Sequence, residues 1–456
     1  PVKRILFVSP LDRLAVPNTR EQNIAAECRA MGHRTLSLTL AQNTSRAPWA
    51  VLRDSITCRA SSDEGGTVLR IDPPFNPCTG LRSNLKVQPG VPAATPAAGE
   101  DRQAQSRALG SRPAGRRLRR ALVSLIAPLG ILRDVSVIPV FLVHALQRGR
   151  FDLCIAYGPW AACVGWALRA CGRVGVVVYD DQDYEPAILG SALRRRWAAT
   201  LERSMMRRAD LVVSVGHRLA ALRRSQTHLK VEVIPNGVQG SFAAQVRAAA
   251  PRTDADTDAA QTLTLVYVGN VVAWSGLDAL LTAARQVRAA GQALRVLIIG
   301  DGLPAYVESL QAQARVLGLE DVVRFVGRVP NHRIAEWLAQ ADVGLAHFRP
   351  DPYRRYAFPL KVVEYMAAGL AVIGTCDTET EDILERHGCG IAVAFDSGEI
   401  ASAILRLGRD LPFRRECQAR ALQAAAGYHW EALASQQLAL VERLESSRRR
   451  RTGSMT

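Results

Sequence analysis

Aromatic side chains are scarce in this 456-residue chain, at 6% of positions, which argues against a carbohydrate-binding module built on stacking platforms. Nine cysteines are present, yet none forms a C-x-x-C pair or a regular framework. That scatter excludes a disulfide scaffold or a cysteine-held metal and reads as reduced, buried thiols of a cytosolic protein. Zinc-finger spacing and the aromatic signatures of RNA-binding modules are also missing, which sets nucleic acid aside. No apolar run is long enough to span a bilayer. Pro128, Arg133, Asp134 and Pro139 break ALVSLIAPLGILRDVSVIPVFLVHAL (121–146) before about 20 apolar residues accumulate. Lys3 and Arg4 lead straight into Ile5-Leu6-Phe7-Val8, too short for a secretory leader, so this segment is expected to be the first strand.

What is present favours a two-domain enzyme. The length exceeds what one hydrophobic core serves, and 48% hydrophobic residues allow packed cores. A net charge of +16 implies an anionic partner. Arg116, Arg117, Arg119 and Arg120 precede the 121–146 run, and Arg194, Arg195 and Arg196 adjoin Trp197. Such pairing of basic and apolar groups fits an anionic membrane surface better than a duplex. The 121–146 run reads as interfacial helices or as helices packed under a sheet. From Gln88 to Gly115 the composition turns to Pro, Ala, Gly, Ser and Arg without periodicity, as expected of a disordered insertion.

Phe358 to Thr375, FPLKVVEYMAAGLAVIGT, concentrates chemistry in one unit. Pro359 suits the first helical position and Gly369 the left-handed residue just past the end. Leu360, Val363 and Ala367 recur at i, i+3 and i+7 and are expected to face a core, while Lys361 and Glu364 share another face. Unpaired N–H groups and the macrodipole draw anions to a helix N-terminus, and Lys361 adds a full charge. A solvated surface pair is the alternative for Lys361 and Glu364. Ala371 to Thr375 reads as a buried strand, and ligands of open α/β sheets bind where strands end and helices begin. Upstream, LTLVYVGNVVAWSG (263–276) and LRVLIIGDGLP (294–304) run from apolar strands into glycine turns that let backbone approach a ligand.

Taken in order, Ile234-Pro235-Asn236-Gly237-Val238, Tyr267-Val268-Gly269-Asn270, Ile298-Ile299-Gly300-Asp301-Gly302, VRFVGRVP (323–330), ADVGL (341–345) and the Phe358 to Thr375 unit resemble the donor-binding half of retaining glycosyltransferases of family 4. The resemblance implies the α/β GT-B fold, two Rossmann-like doubly wound domains facing a central cleft. It implies transfer of a sugar from a nucleoside-diphosphate sugar, with retention, to a saccharide or lipid-linked acceptor. The Pro-x-Lys-x-x-Glu-Tyr-Met form is most similar to the branch of bacterial surface-polysaccharide enzymes, which implies polysaccharide or glycoconjugate synthesis in the cytoplasm or on the inner membrane face. Implied donor-binding residues are Gly269, Asn270, Gly300, Asp301, Gly302, Phe358, Pro359, Leu360, Lys361 and Glu364. Lys361 takes the catalytic role at the leaving diphosphate and Glu364 the ribose. No cofactor and no metal is implied.

Three positions depart from the family pattern. Asn270 and Ser275 stand where many members carry an Arg and a Lys on the diphosphate, and Tyr356 stands where a carboxylate usually meets the donor sugar. Arg354 or Arg355 is the candidate to restore the charge. A GT-B sugar-nucleotide epimerase or a non-catalytic GT-B scaffold at the membrane therefore stays open as an alternative.

In the first half, FDLCIAY (151–157) and VGVVVYD (174–180) read as central strands. By resemblance, acceptor contacts fall at Asn18, Arg20, Tyr157 and Tyr184, with Asp180 and Asp183 as candidates for acceptor hydrogen bonding or base catalysis. Arg20 equally suits a surface position at a helix start. Asp181-Gln182-Asp183 spells an Asp-x-Asp metal pattern, but two acids after a strand more often cap a helix. The expected domains are 1–242 for the acceptor, carrying the 88–115 insertion, and 262–425 for the nucleotide sugar. Between them Phe242 to Gln261 is the expected linker. Residues 426–456 are expected to be a helix crossing back to the first domain and a disordered basic tail.

Overall fold

The computed structural model describes residues 2–9, 19–40, 59–63, 66–71, 138–189, 191–249 and 262–453. Asn18, the 88–115 insertion and residues 121–137 lie outside these. Two compact units divide the chain: Pro1–Val213 with Arg223–Val231, and Ser214–Leu222 with Glu232–Thr456.

One sheet comprises β1 (Arg4–Ser9), β2 (Arg34–Leu40), β3 (Arg59–Asp63), β4 (Gly66–Ile71), β5 (Phe151–Tyr157), β6 (Val174–Asp181), β7 (Leu211–Ser214) and β8 (Val231–Val233). Their order is β3-β4-β2-β1-β5-β6-β7-β8. β1 pairs in parallel with β2 and β5, and β3 folds back antiparallel on β4. Because β2 and β5 flank β1, the chain reverses direction across the sheet there, which makes the β1/β5 edge a topological switch point. β5 is buried along its length except at Asp152, as a central parallel strand requires. After β1 the chain enters the Arg20–Ala30 helix through a capping box. Thr19 Oγ1 accepts from Gln22 N–H at 3.3 Å, and Gln22 Oε1 accepts from Thr19 N–H at 2.9 Å, which satisfies two otherwise orphaned donors.

The second sheet comprises β9 (Leu263–Val268), β10 (Leu294–Ile299), β11 (Val323–Gly327), β12 (Val343–Ala346), β13 (Ala371–Thr375) and β14 (Gly390–Val393). It is parallel throughout, in the order β11-β10-β9-β12-β13-β14, so its switch point lies between β9 and β12. Strand residues alternate between two cores. Leu263, Leu265 and Tyr267 join the cluster with Leu280 and Ile404, while Val266, Leu297 and Ile299 join Val363, Met366 and Ala421. Helices therefore cover both faces, the doubly wound arrangement expected of near-continuous apolar strands.

Several boundaries differ from expectation. Phe242–Ala249 is a helix whose Val246 joins the core with Ile334 and Leu338, so burial makes it part of the second unit rather than linker. The Trp430–Gly453 helix, with Trp430, Leu433, Leu438 and Val441 buried, belongs to that unit as well. It runs through the arginine tract expected to be disordered, and arginine is a good helix former. Pro359 occupies the N-cap of the Leu360–Ala367 helix, one position before the expected N1. Trp197 is not offered to solvent alone, because it stacks on Trp160 with centroids 4.4 Å apart. No helix among the described residues is long and apolar enough to cross a membrane.

Candidate functional site

Lys361 ends at the second switch point. Its Nζ lies 4.0 Å from the ring centroid of Tyr267, on β9, and 4.8 Å from that of Phe348, just past β12. The helix is held there by its neighbour one turn on. Tyr365 packs its ring against Gly344, where an added Cβ would fall 2.3 Å from the ring, and its hydroxyl accepts from Val268 N–H at 2.9 Å. Val362, Val363 and Met366 complete the buried face; Leu360, expected there, is only half-buried. Lys361 Nζ is thus buried and has no hydrogen-bond partner, and no carboxylate pairs with it among the described residues.

An unpaired buried ammonium is costly, and its acidity follows from that. Burial pulls Lys361 down to about 7, with the attraction of Glu364 opposing and the repulsion of Arg354 adding. Burial lifts the Glu364 carboxyl to about 7 against the pull of Lys361. His347, buried beside them with Nε2 3.2 Å from Gly276 O, is lowered to about 4 by burial and stays neutral. A bound anion would relieve the Lys361 penalty at once, and the N–H groups of the first helical turn sit on the same end.

The glycines of the turns serve a second purpose. An added Cβ would fall 1.9 Å from Gly269 O at Gly300 and 1.8 Å from Val271 O at Gly302. The turns after β9 and β10 therefore lie backbone to backbone, joined by Val271 N–H donating to Asp301 O at 2.8 Å. Gly269 itself brings its Cα beside Lys361, whose Nζ would stand 3.2 Å from an added Cβ. Asn270 and Asp301 are exposed and Phe358 is half-buried. Aromatic residues missed from sequence, Tyr267, Phe348 and Tyr365, build the seat of Lys361. Their signal lay in plain view, since Tyr267 stands in β9 two residues before Gly269 and Tyr365 follows Lys361 by one turn.

The first sheet's switch point looks different. Asp180, at the end of β6, takes the Arg20 guanidinium through Nε at 3.0 and 3.1 Å, and both side chains are buried. The structure gives these two residues to each other, which leaves neither as an exposed acceptor contact. Tyr157, ending β5, is buried with no partner for its hydroxyl, and burial first, then the Asp180 charge, pushes that hydroxyl well above its ordinary value. Asp181 is bound by Arg223 at 2.8 and 3.0 Å, and Arg223 also donates to Glu202 at 2.8 Å. Asp181 is thereby engaged by a guanidinium rather than open to a metal. Asp183 is exposed, with its carbonyl facing Arg223, and the Tyr184 ring lies 5.2 Å from the Arg223 guanidinium carbon.

Comparison with known proteins bears on both halves. A family model described as "Glycosyl transferases group 1" matches residues 262–410, and one described as "Glycosyltransferase Family 4" matches residues 94–241. Both halves of the chain match glycosyltransferase models. A D-inositol 3-phosphate glycosyltransferase of Thermomonospora curvata is 31% identical over 178 residues, 37% of this chain and 40% of that protein. The chain thus matches less than half the length of that relative. A protein of the same name from Kribbella flavida is 26% identical over 329 residues, covering 68% of this chain and 72% of the relative. Among solved structures, Anabaena Alr3699/HepE in complex with UDP superposes with a TM-score of 0.62 at 18% identity, covering 97% of this chain and all (100%) of that one. The likeness shows a shared GT-B fold, as expected from the motifs.

Proposed function

We propose that this chain transfers a sugar, with retention, from a nucleoside-diphosphate sugar to a saccharide or lipid-linked acceptor in cell-surface polysaccharide or glycoconjugate synthesis. The observation that carries this reading is the buried, partnerless Lys361 ammonium at the β9/β12 switch point, beside Glu364. Binding of UDP by a structural neighbour supports a nucleotide donor. In the reaction the bond from the anomeric carbon to the diphosphate oxygen breaks, and the electron pair stays on the diphosphate. The acceptor hydroxyl oxygen bonds to the same face of that carbon, and its proton passes to a diphosphate oxygen. Lys361 and the helix N-terminus stabilise the growing negative charge; Glu364, whose carboxylate has no hydrogen-bond partner among the described residues, accepts from the ribose hydroxyls. Metal is not required, because the cation and the helix end supply the positive charge; activity unchanged by a chelator tests this.

A thermal-shift panel of UDP, GDP, ADP and their sugars tests the donor reading. The cognate ligand at a hundred times its dissociation constant should stabilise by about 2.7 kcal/mol. Binding of none would leave a scaffold, and conversion of the donor alone into a new sugar nucleotide, seen by nuclear magnetic resonance, would mark an epimerase.

Attachment to an anionic membrane surface is the second part of the proposal. Arg196, Arg203 and Arg207 recur at i, i+7 and i+11 on the Ala192–Arg208 helix, all exposed and without an ion pair among the described residues. Beside them Leu193 is 58% and Ile188 49% exposed. A cationic stripe edged by apolar side chains suits lipid headgroups.

A further inference from the structure

A second cation acts on Lys361, namely Arg354, and it sits on Trp274, whose ring centroid lies 5.9 Å from that of Phe348 beneath the ammonium. The Arg354 guanidinium carbon lies 3.7 Å from the Trp274 ring centroid, stacked closely enough for a strong cation–π contact. Its side chain is 15% exposed, and burial pulls it down to about 10. Its position is fixed from below. Asp351 Oδ1 accepts from Tyr353 N–H at 2.9 Å and Arg354 N–H at 2.8 Å, and the same carboxylate pairs with Arg354 Nη1. Nε and Nη2 of Arg354 have no protein partner among the described residues. Arg349 N–H donating to Trp274 O at 2.9 Å ties the two loops together.

Arg354, although paired with Asp351, still repels Lys361 and lowers its proton affinity, and an anion held by both cations would relieve that repulsion. Arg355, the adjacent alternative, is spent elsewhere: it is 52% exposed and pairs with Asp377 at 2.9 Å. The loop after β9 offers no cation of its own. Ser275 is fully buried with its hydroxyl donating to Val272 O at 2.6 Å, and Asn270 is exposed. That loop supplies instead the aromatic seat for a cation borne by the loop after β12.

We infer that Arg354, seated on Trp274, is a second diphosphate-binding residue of the donor site, with Trp274 as its positioning residue. This rests on the nucleotide-sugar reading above. With the guanidinium carbon over Trp274 and Nη1 on Asp351, Nε and Nη2 are left for a bidentate grip on phosphate oxygens.

Calorimetric titration with nucleoside di- and monophosphates of the best-bound base tests the assignment. Arg354→Gln should bind the diphosphate at least tenfold more weakly while binding the monophosphate within twofold of wild type. Trp274→Leu should show the same selective loss in smaller measure, and Arg355→Gln should match wild type. Adding Asn270→Arg to Arg354→Gln should recover part of the lost affinity, since that exposed position returns a cation to the site. Equal diphosphate affinity in wild type and Arg354→Gln overturns the inference. So does an equal loss for both nucleotides, which would mean a structural role. A wild-type protein that binds no nucleoside diphosphate overturns the donor reading itself, and the inference with it.

Discussion

The two switch points each hold a buried cation, and they treat it in opposite ways. At β1/β5 the Arg20 guanidinium meets the Asp180 carboxylate at 3.0 Å, both fully enclosed. At β9/β12 the Lys361 ammonium rests on the faces of Tyr267 and Phe348 with no carboxylate bonded to it. Aromatic faces return only part of the hydration a charge gives up. The first cation thus has its counter-charge within the protein, and the second is left for a ligand to supply one. Folds of one topology therefore need not share a site at equivalent positions; charge balance separates the structural pair from the binding group.

The comparison predicts a larger stability cost at the first point than at the second. Asp180→Asn strands the buried Arg20 charge and should destabilise the first unit by about 3–5 kcal/mol, read by denaturant unfolding, with nucleotide affinity unchanged. A stability loss under 1 kcal/mol would mean that the pair is not what completes that switch point. Lys361→Ala should behave conversely. Turnover should fall by roughly 10²–10³-fold with little change in melting temperature, because an uncompensated charge is removed from the core.

Acidity sharpens the contrast further. With Lys361 at about 7 in the free protein, nucleotide affinity should fall by up to about tenfold per pH unit above 7 as the ammonium is lost, and Lys361→Arg should flatten that slope. Without ligand, the folded state holds the Glu364 proton between 4.5 and about 7, so stability declines as pH rises through that window. The unfolded chain holds the Lys361 proton between about 7 and 10.5, so stability climbs again there. Melting temperatures across pH should show this dip, and Lys361→Met with Glu364→Gln should remove it. The smallest expected effect lies away from both points. Each glutamine at Arg196, Arg203 or Arg207 should weaken binding to anionic vesicles by about 1 kcal/mol, with no change on neutral vesicles; equal binding to both vesicle types would end the membrane proposal.

Local signals made much of this legible. β5 and β13 fall on the apolar runs read as strands, and Gly369 ends its helix at φ 73° as a left-handed residue, because burial and backbone conformation are written within a few residues. Pairings across the fold were not legible. Arg20 and Asp180 stand 160 positions apart, so nothing near Arg20 announced its partner, and Asp180 kept the look of a free acid after a strand. The choice between Arg354 and Arg355 depends on the phase of a single turn set by Asp351. Gly300 and Gly302 read as openings for a ligand, while their bare Cα atoms also admit the carbonyls of Gly269 and Val271. In the tail, composition predicted disorder where helix propensity prevails.

Calorimetric titration of UDP, GDP and ADP into wild type and Lys361→Met tests the central claim most directly, since methionine fills nearly the same space without charge. At least one nucleoside diphosphate should bind the wild type and lose about a hundredfold or more in affinity to the variant. Equal affinity in the two proteins would contradict the account.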